Sequence, residues 1–356
     1  MPNAGIVIAG AGVIGCSIAW HLACRGLRDI VVVDRHAAPG GGSTARATGG
    51  FRAQFGTAVN VRLSLLSREK LLRFQEETGV SPGYEPHGYL FLATAEEQLR
   101  QLRDALEVQR RCGMTDARTV TPEQARELNP AIDDPEIAGG TFSPTDGFIR
   151  PMEILRGYYE SALRMGVRFA FGQDIRSLDP GVTYVNAAGA WASELCDVPV
   201  VPLRRRVAGT EPTQVLPPNM PMTIWAGDGF HLRVRDGRVL LLWPDTPADD
   251  EAWMHEVLAR AHRRVPALRG VPIDEASCWS GLYEMSPDRH AILGPHPDRP
   301  NVYLANGSSG HGVMHAPAIG QLIAEMILEG ATSIDIRALR PSRFAEGDPV
   351  VGPELL

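Results

Sequence analysis

Four consecutive apolar residues, Ile6-Val7-Ile8-Ala9, leave no polar face and predict a short strand buried on both sides of a parallel sheet. A helix follows to about Arg25 and stops at Gly26, and Ile30-Val31-Val32-Val33 predicts a second buried strand ending at Asp34. Val61, Leu65, Leu66 and Leu72 recur at helical spacing and predict a helix over 58–78. Residues 88–92 read as a strand and 95–112 as a polar surface helix. Met152, Leu155, Tyr159 and Leu163 mark an amphipathic helix with Pro151 in its first turn, leading to a strand over 167–171. Residues 184–191 read as a buried strand ending in a tight turn of small residues. Residues 230–234 and 239–242 flank an Asp236-Gly237 hairpin turn, with Phe230, Leu232 and Val234 on one face and His231, Arg233 and Arg235 on the other. A charged helix is expected over 248–264.

Between the first two strands Gly10-Ala11-Gly12-Val13-Ile14-Gly15 fits GxGxxG. Gly10 permits a tight turn, Gly12 lets a pyrophosphate approach the backbone, and Gly15 lets helix and strand pack closely. The helix N-terminus offers unpaired N–H groups to phosphates, and Asp34 stands where an acid accepts ribose hydroxyls and disfavours a 2′-phosphate. Strand, loop, helix, strand and acid in this order predict dinucleotide binding. The loop over 40–50, GGGSTARATGG, replaces the next helix and suits close approach to a second, larger part of the ligand. The nucleotide-binding pattern brackets a β-rich insertion, which predicts a discontinuous domain over 1–85, 145–200 and 275–356 and an inserted one over 86–144 and 201–274.

A net charge of −7 and a pI near 5.8 argue against nucleic acid or an anionic membrane as partner. The five cysteines are scattered and form no CxxC pair, so neither a disulfide framework nor a metal site is expected. No apolar run reaches bilayer length, and no basic region precedes the first one, so a signal peptide is not expected and the location is expected to be cytoplasmic. Lys70 is the only lysine, so no other position can supply a catalytic one.

Three further stretches become specific: NAAGAWA at 186–192, WSGLYEMSPDRHAILG at 279–294 and SSGHGVMHAPAIG at 308–320. With the first loop, they resemble the D-amino-acid-oxidase superfamily of flavoproteins, and within it the sarcosine oxidase and dehydrogenase β-subunit type of the glycine/sarcosine oxidase group. The resemblance covers essentially the whole chain. It implies an α/β fold with an α+β insertion: a Rossmann-like FAD-binding domain carrying an inserted antiparallel-sheet substrate domain. It also implies oxidation of the C–N bond of an amino acid or secondary amine, with hydride passing to flavin N5.

By this resemblance Gly10, Gly12, Val13, Ile14, Gly15, Asp34 and Arg35 hold the nucleotide, while Ser43, Thr44, Arg46, Ala47, Gly49 and Gly50 meet the pyrophosphate and flavin. Ala188, Gly189 and Trp191 line the adenosine half; Gly281, Gly310, His311, Gly312, Val313 and Met314 lie at the flavin. Charge left on the flavin N1–C2=O edge by hydride transfer would be met by the helix N-terminus around Gly312. Met314 replaces a family lysine that helps hold the substrate carboxylate, and Tyr283 stands where other relatives place an arginine. Arg52 is then the first candidate for a carboxylate clamp and Arg233 the second. Tyr283, His231 and His311 are further candidates at the substrate, each set against a structural role, and His290 is expected to pack or cap. Gly281 and Thr48 fall where relatives attach flavin covalently, so FAD is expected to be non-covalent, with Cys278 a buried free thiol. The missing lysines favour a dehydrogenase using a separate electron acceptor over an oxidase. Alternatives are a flavin-binding subunit that needs partner chains and a degenerate non-catalytic relative. Between Phe171 and Tyr184 the chain lacks two or three strands usual in relatives, which bears on FAD affinity.

Overall fold

Branched side chains at successive positions leave no face for water, and the strands Ile6–Ala9 and Ile30–Asp34 are buried up to the partly exposed Asp34. In the computed structural model, which describes residues 5–353 apart from 246 and 248, both lie inside a six-stranded sheet. Its order is Ile292–His296, Arg299–Asn306, Thr183–Asn186, Ile6–Ala9, Ile30–Asp34 and Arg168–Phe171. All neighbours are parallel except the Ile292–His296/Arg299–Asn306 pair.

One face is covered by the helices Val13–Cys24, Ala58–Thr78, Pro151–Arg164 and Gly312–Glu329, which share a core around Ile18, Leu22, Phe74, Tyr158 and Ile319. On the other face Val7, Val31 and Leu304 are covered by Val198, Val200 and, from the short crossover after Phe171, Ile175 and Leu178. That crossover contains no strand. Ile175, Leu178 and Val182 are its apolar residues packed there.

A second, eight-stranded sheet has the order Trp279–Met285, Val201–Gly209, Arg238–Leu242, His231–Arg235, Met222–Trp225, Tyr89–Ala93, Gly139–Ser143 and Arg118–Val120. The expected boundary at residue 275 put Trp279–Met285 with the nucleotide-binding segments. The strand instead pairs with Val201–Gly209 in an unbroken register from Val201↔Met285 to Val207↔Trp279. Its partner lies far away in sequence, so local pattern carries no sign of the pairing.

The sheet register sorts side chains between two faces. Phe91, Ile224, His231, Leu242 and Val207 stand directly across from one another and share one face. Leu232, Leu241 and Trp225 share the other, packed on Trp253, Val257 and Ala261 of the helix Asp250–Arg264. Asp249 caps that helix through the Ala252 N–H (2.7 Å); the expected start at residue 248 lies outside the described residues. Among the described residues, no helix is long and apolar enough to cross a membrane, and no group of three or more His, Cys, Asp or Glu could hold a metal ion.

Candidate active site

The first glycine loop divides its glycines between packing and open space. Gly10 has φ +106°, and a Cβ there would stand 2.4 Å from the Ala187 carbonyl oxygen. A Cβ on Gly15 would stand 1.9 Å from the Gly10 carbonyl oxygen, so this glycine seats the helix on the loop. Gly12 differs. Its φ of −74° and ψ of 177° suit any residue, and a Cβ would meet only the Thr44 hydroxyl, at 3.4 Å. No internal packing requires a glycine here, and the space over it is open to close approach by a ligand.

Thr44 closes the far side by accepting the Val13 N–H (3.2 Å). Asp34 accepts the Ala11 N–H through Oδ2 (2.7 Å) and the His36 N–H through Oδ1 (2.8 Å). Its carboxylate thus ties the second strand to the glycine loop and keeps acceptor capacity for a ribose. Arg35 pairs with Asp174 of the crossover (3.1 Å) and Glu194 (2.6 Å), with its guanidinium over Trp191.

The second cradle is the N-terminus of Gly312–Glu329. Its first intrahelical bond runs from the His315 N–H to the His311 carbonyl (3.1 Å), which leaves the N–H groups of Gly312, Val313 and Met314 ahead of the ladder. Their positive end is an anion site. The loop before it rests on Glu284: Oε1 accepts the Ser308 N–H (3.3 Å) and the backbone carbonyl accepts the Ser309 N–H (3.2 Å). The other carboxyl oxygen, Oε2, has no hydrogen-bond partner among the described residues.

Burial lifts the Glu284 carboxyl from an ordinary 4.5 to about 7. A carboxyl raised in this way stabilises the fold fully below its unfolded value and loses that contribution as pH climbs through the folded value. From about pH 5 to about pH 8 the parent protein should therefore lose roughly 2–3 kcal/mol more stability than Glu284→Gln. Denaturant unfolding of both at the two pH values checks this; equal losses would show that Glu284 ionises freely.

Between the two cradles lies a continuous cavity of about 1500 Å³. Asp34, Trp191, Gly12, Thr44, Gly312 and Tyr283 all line it. Every residue picked from sequence for ligand or substrate lines it except Gly15, whose place is in the packing beneath, and Arg233. An elongated two-part ligand fits this arrangement, because each end of the cavity presents unbonded backbone N–H groups or open space over a glycine. Lys70 lies on Ala58–Thr78 and does not line the cavity. Cys278, expected to be buried, is half-exposed, with its thiol turned to the Asp274 carbonyl (3.5 Å). It too stands off the cavity, because the residue precedes rather than belongs to the strand Trp279–Met285.

Beside the second cradle the inner face of the eight-stranded sheet forms a wall. Arg52 is buried, its guanidinium 4.1 Å from the Phe55 ring centroid and 5.4 Å from that of Phe91. Nη1 donates to the Gln54 carbonyl (2.7 Å) and Nη2 to His311 Nε2 (3.1 Å). An arginine only donates, so His311 Nε2 carries a lone pair and the ring is neutral. Burial first, then the nearby Arg52 charge, hold His311 well below the usual histidine range. Asp146 fixes the same loop by accepting the Ala53 N–H (2.8 Å).

His231 donates from Nδ1 to the Gly229 carbonyl (2.8 Å), leaving its Nε2 lone pair free of that bond. Burial lowers it to about 4, so it too is neutral. Tyr283 is raised above the usual phenol range by burial. Arg233, the second clamp candidate, is elsewhere: it stacks 3.5 Å from the Phe148 ring centroid and donates to the Thr48 (2.9 Å) and Gly49 (3.2 Å) carbonyls. It fastens the 40–50 loop rather than meeting a substrate, because the flanking backbone leaves carbonyls that need a donor. His290 lines the cavity, with Nε2 3.0 Å from the Thr57 hydroxyl. Sequence reasoning missed Glu284, Tyr89 and Arg205; only the strand register reveals which of them face inward.

Residues 5–326 match the model of the family described as FAD dependent oxidoreductase (DAO). The chain is 27% identical to "FAD-dependent oxidoreductase domain-containing protein 1" of Xenopus laevis, over 98% of this chain and 84% of that protein. It is 28% identical to the mitochondrial dimethylglycine dehydrogenase of Rattus norvegicus, over 97% of this chain but 45% of that protein. The crystal structure of L-proline dehydrogenase from P. horikoshii superposes with a TM-score of 0.88 at 27% identity, covering 98% of this chain and 99% of that one. With both cradles, the cavity and this match over most of its length, the chain belongs to the FAD dependent oxidoreductase (DAO) family.

Proposed function

We propose that this FAD-dependent oxidoreductase oxidises the C–N bond of an amino acid or secondary amine bearing a carboxylate, with FAD held non-covalently. The observation that carries the reading is the buried Arg52 guanidinium, oriented by the Gln54 carbonyl and His311, on the cavity wall near the second cradle. A guanidinium fixed in this way binds a carboxylate with little loss of side-chain freedom. Bound FAD supplies the hydride acceptor, and the imine formed by losing the α-hydride is hydrolysed in water.

The chain's own residues then set orientation and protonation. Arg52 brings a fixed positive charge, which disfavours a substrate ammonium and favours the neutral amine able to release hydride. His231 and His311, both neutral, add no competing charge, and the His231 Nε2 lone pair can accept a hydrogen bond from the amine. The N–H groups of Gly312, Val313 and Met314 are placed to meet negative charge on the cofactor. Proline, a secondary amine named for a similar protein, fits this reading in full; dimethylglycine, a tertiary amine named for another, fits its carboxylate contact. With Lys70 far from the cavity, we further propose a dehydrogenase that passes electrons to a separate acceptor.

Anaerobic titration of the yellow protein tests the reading. Sarcosine, L-proline, dimethylglycine and D-amino acids are added in turn while the visible flavin band is followed. Bleaching by at least one carboxylated amine, about 100-fold or more faster than by its matched neutral amine, is expected. A flavin that dithionite bleaches but no carboxylated amine does would overturn it.

A further inference from the structure

Three consecutive arginines on the strand Val201–Gly209 have different fates. Arg204 and Arg206 both reach Asp250, at 2.7 Å and 2.6 Å. Arg205, between them, points to the other face and lines the cavity. Its register partner is Gly281, which has no side chain to cover it, and Tyr283 lies on the same face two residues on. The Arg205 guanidinium carbon stands 5.9 Å from the Tyr283 ring centroid. Among the described residues it makes no hydrogen bond and no ion pair. Burial lowers its proton affinity, with Asp245 opposing and Arg289 adding to that effect. A half-buried cation with Asp245 within electrostatic reach but no ion pair among the described residues has donors left for an incoming anion.

Arg205 and Arg52 act on the same two neighbours. Both positive charges lower His231 and both stabilise the phenolate of Tyr283. The substrate end of the cavity therefore holds two guanidinium groups within electrostatic reach of one His–Tyr pair. An amine with one carboxylate matches Arg52 and leaves the second unmatched.

We propose that Arg205 forms a second carboxylate subsite, and that the preferred substrate is an amine carrying two carboxylates: an N-carboxyalkyl amino acid or an acidic amino acid. The assignment rests on the reading of Arg52 as holder of the first carboxylate. A planar guanidinium suits a bidentate carboxylate contact, and Gly281 leaves it room. The ion pair forms against a low-dielectric wall of Ile224, Leu242 and Val207 rather than in bulk water.

Diglycolate and methoxyacetate test this without turnover. They resemble a dicarboxylic and a monocarboxylic amine but contain no C–N bond to oxidise. Their binding to the FAD-loaded protein is read from the shift of the flavin absorbance in the parent, Arg205→Met and Arg205→Lys. Diglycolate is expected to bind about 10–100-fold more tightly than methoxyacetate to the parent. Arg205→Met should abolish that preference and Arg205→Lys restore part of it. Retained yellow colour shows that each variant holds its cofactor; if Arg205→Met is colourless, the Arg205→Lys preference and the parent's own ratio decide. No diglycolate preference in the parent overturns the proposal. So does an equal loss for both ligands in Arg205→Met, which makes Arg205 the holder of the first carboxylate. A failure of the anaerobic titration with a surviving diglycolate preference would instead sink the amine-oxidation reading and leave the subsite standing.

Discussion

Gly12→Val is expected to give a folded, colourless protein. The backbone at Gly12 is extended and unstrained, with φ −74° and ψ 177°, so a branched side chain fits it locally. Its Cβ would have Thr44 as sole near neighbour, at 3.4 Å. The added methyls instead fill the space through which the pyrophosphate approaches the helix N-terminus. FAD affinity should fall at least about 100-fold, since both close backbone contact and access to the helix end are lost. Unfolding of the FAD-free protein should change by less than about 1 kcal/mol. Gly15→Ala is the contrast: its Cβ would stand 1.9 Å from the Gly10 carbonyl oxygen, so the FAD-free protein itself loses about 3 kcal/mol or more. Fluorescence titration of FAD into both apoproteins, with denaturant unfolding, reads the two effects apart. Parent-like FAD binding by Gly12→Val would remove Gly12 from the cofactor site.

Arg52→Met should lower kcat/KM for a carboxylated amine by about 1000-fold and for a matched neutral amine by less than about threefold. Methionine keeps an unbranched apolar stem against Phe55 and Phe91, so packing is largely preserved. What disappears is a charge-assisted contact in a buried site, worth about 3–5 kcal/mol once its loss leaves the substrate carboxylate unpaired. The protein should stay yellow, because the bonds lost from Arg52 to the Gln54 carbonyl and the His311 ring leave the backbone of both cradles in place. Anaerobic single-turnover reduction with paired carboxylated and neutral amines gives the ratio. Equal losses for both would mean that Arg52 shapes the cavity without gripping a carboxylate.

Both cradles were legible in the sequence because each is local. A strand, a glycine loop and a helix start occupy a few adjacent residues, and their chemistry follows from that adjacency. The helices were legible for the same reason, but not every residue of their faces: in Ala58–Thr78 the buried side is carried by Val61, Leu71 and Phe74, while Leu72, read from its spacing as part of that side, is 68% exposed. The substrate wall was not. Whether Arg204, Arg205 or Arg206 faces the cavity depends on strand register, and a shift of one residue would exchange them. Arg52 and Arg233 look alike as isolated arginines; only the structure shows one against the cavity and the other bonded to Thr48 and Gly49. Glu284 was silent because nothing near it in sequence marks an acid lying under a loop that arrives some two dozen residues later.

The strand Trp279–Met285 has a consequence for how this enzyme can vary. Gly281 and Tyr283 line the cavity, while Glu284 supports the loop that leads to the second cradle, and Met285 bridges to Ser308. A shift of that strand is therefore felt by ligand and prosthetic group together. The neighbouring strand Val201–Gly209 carries Arg205 with no hydrogen bond to either cradle, so new substrate preferences can be grafted there with the redox machinery undisturbed.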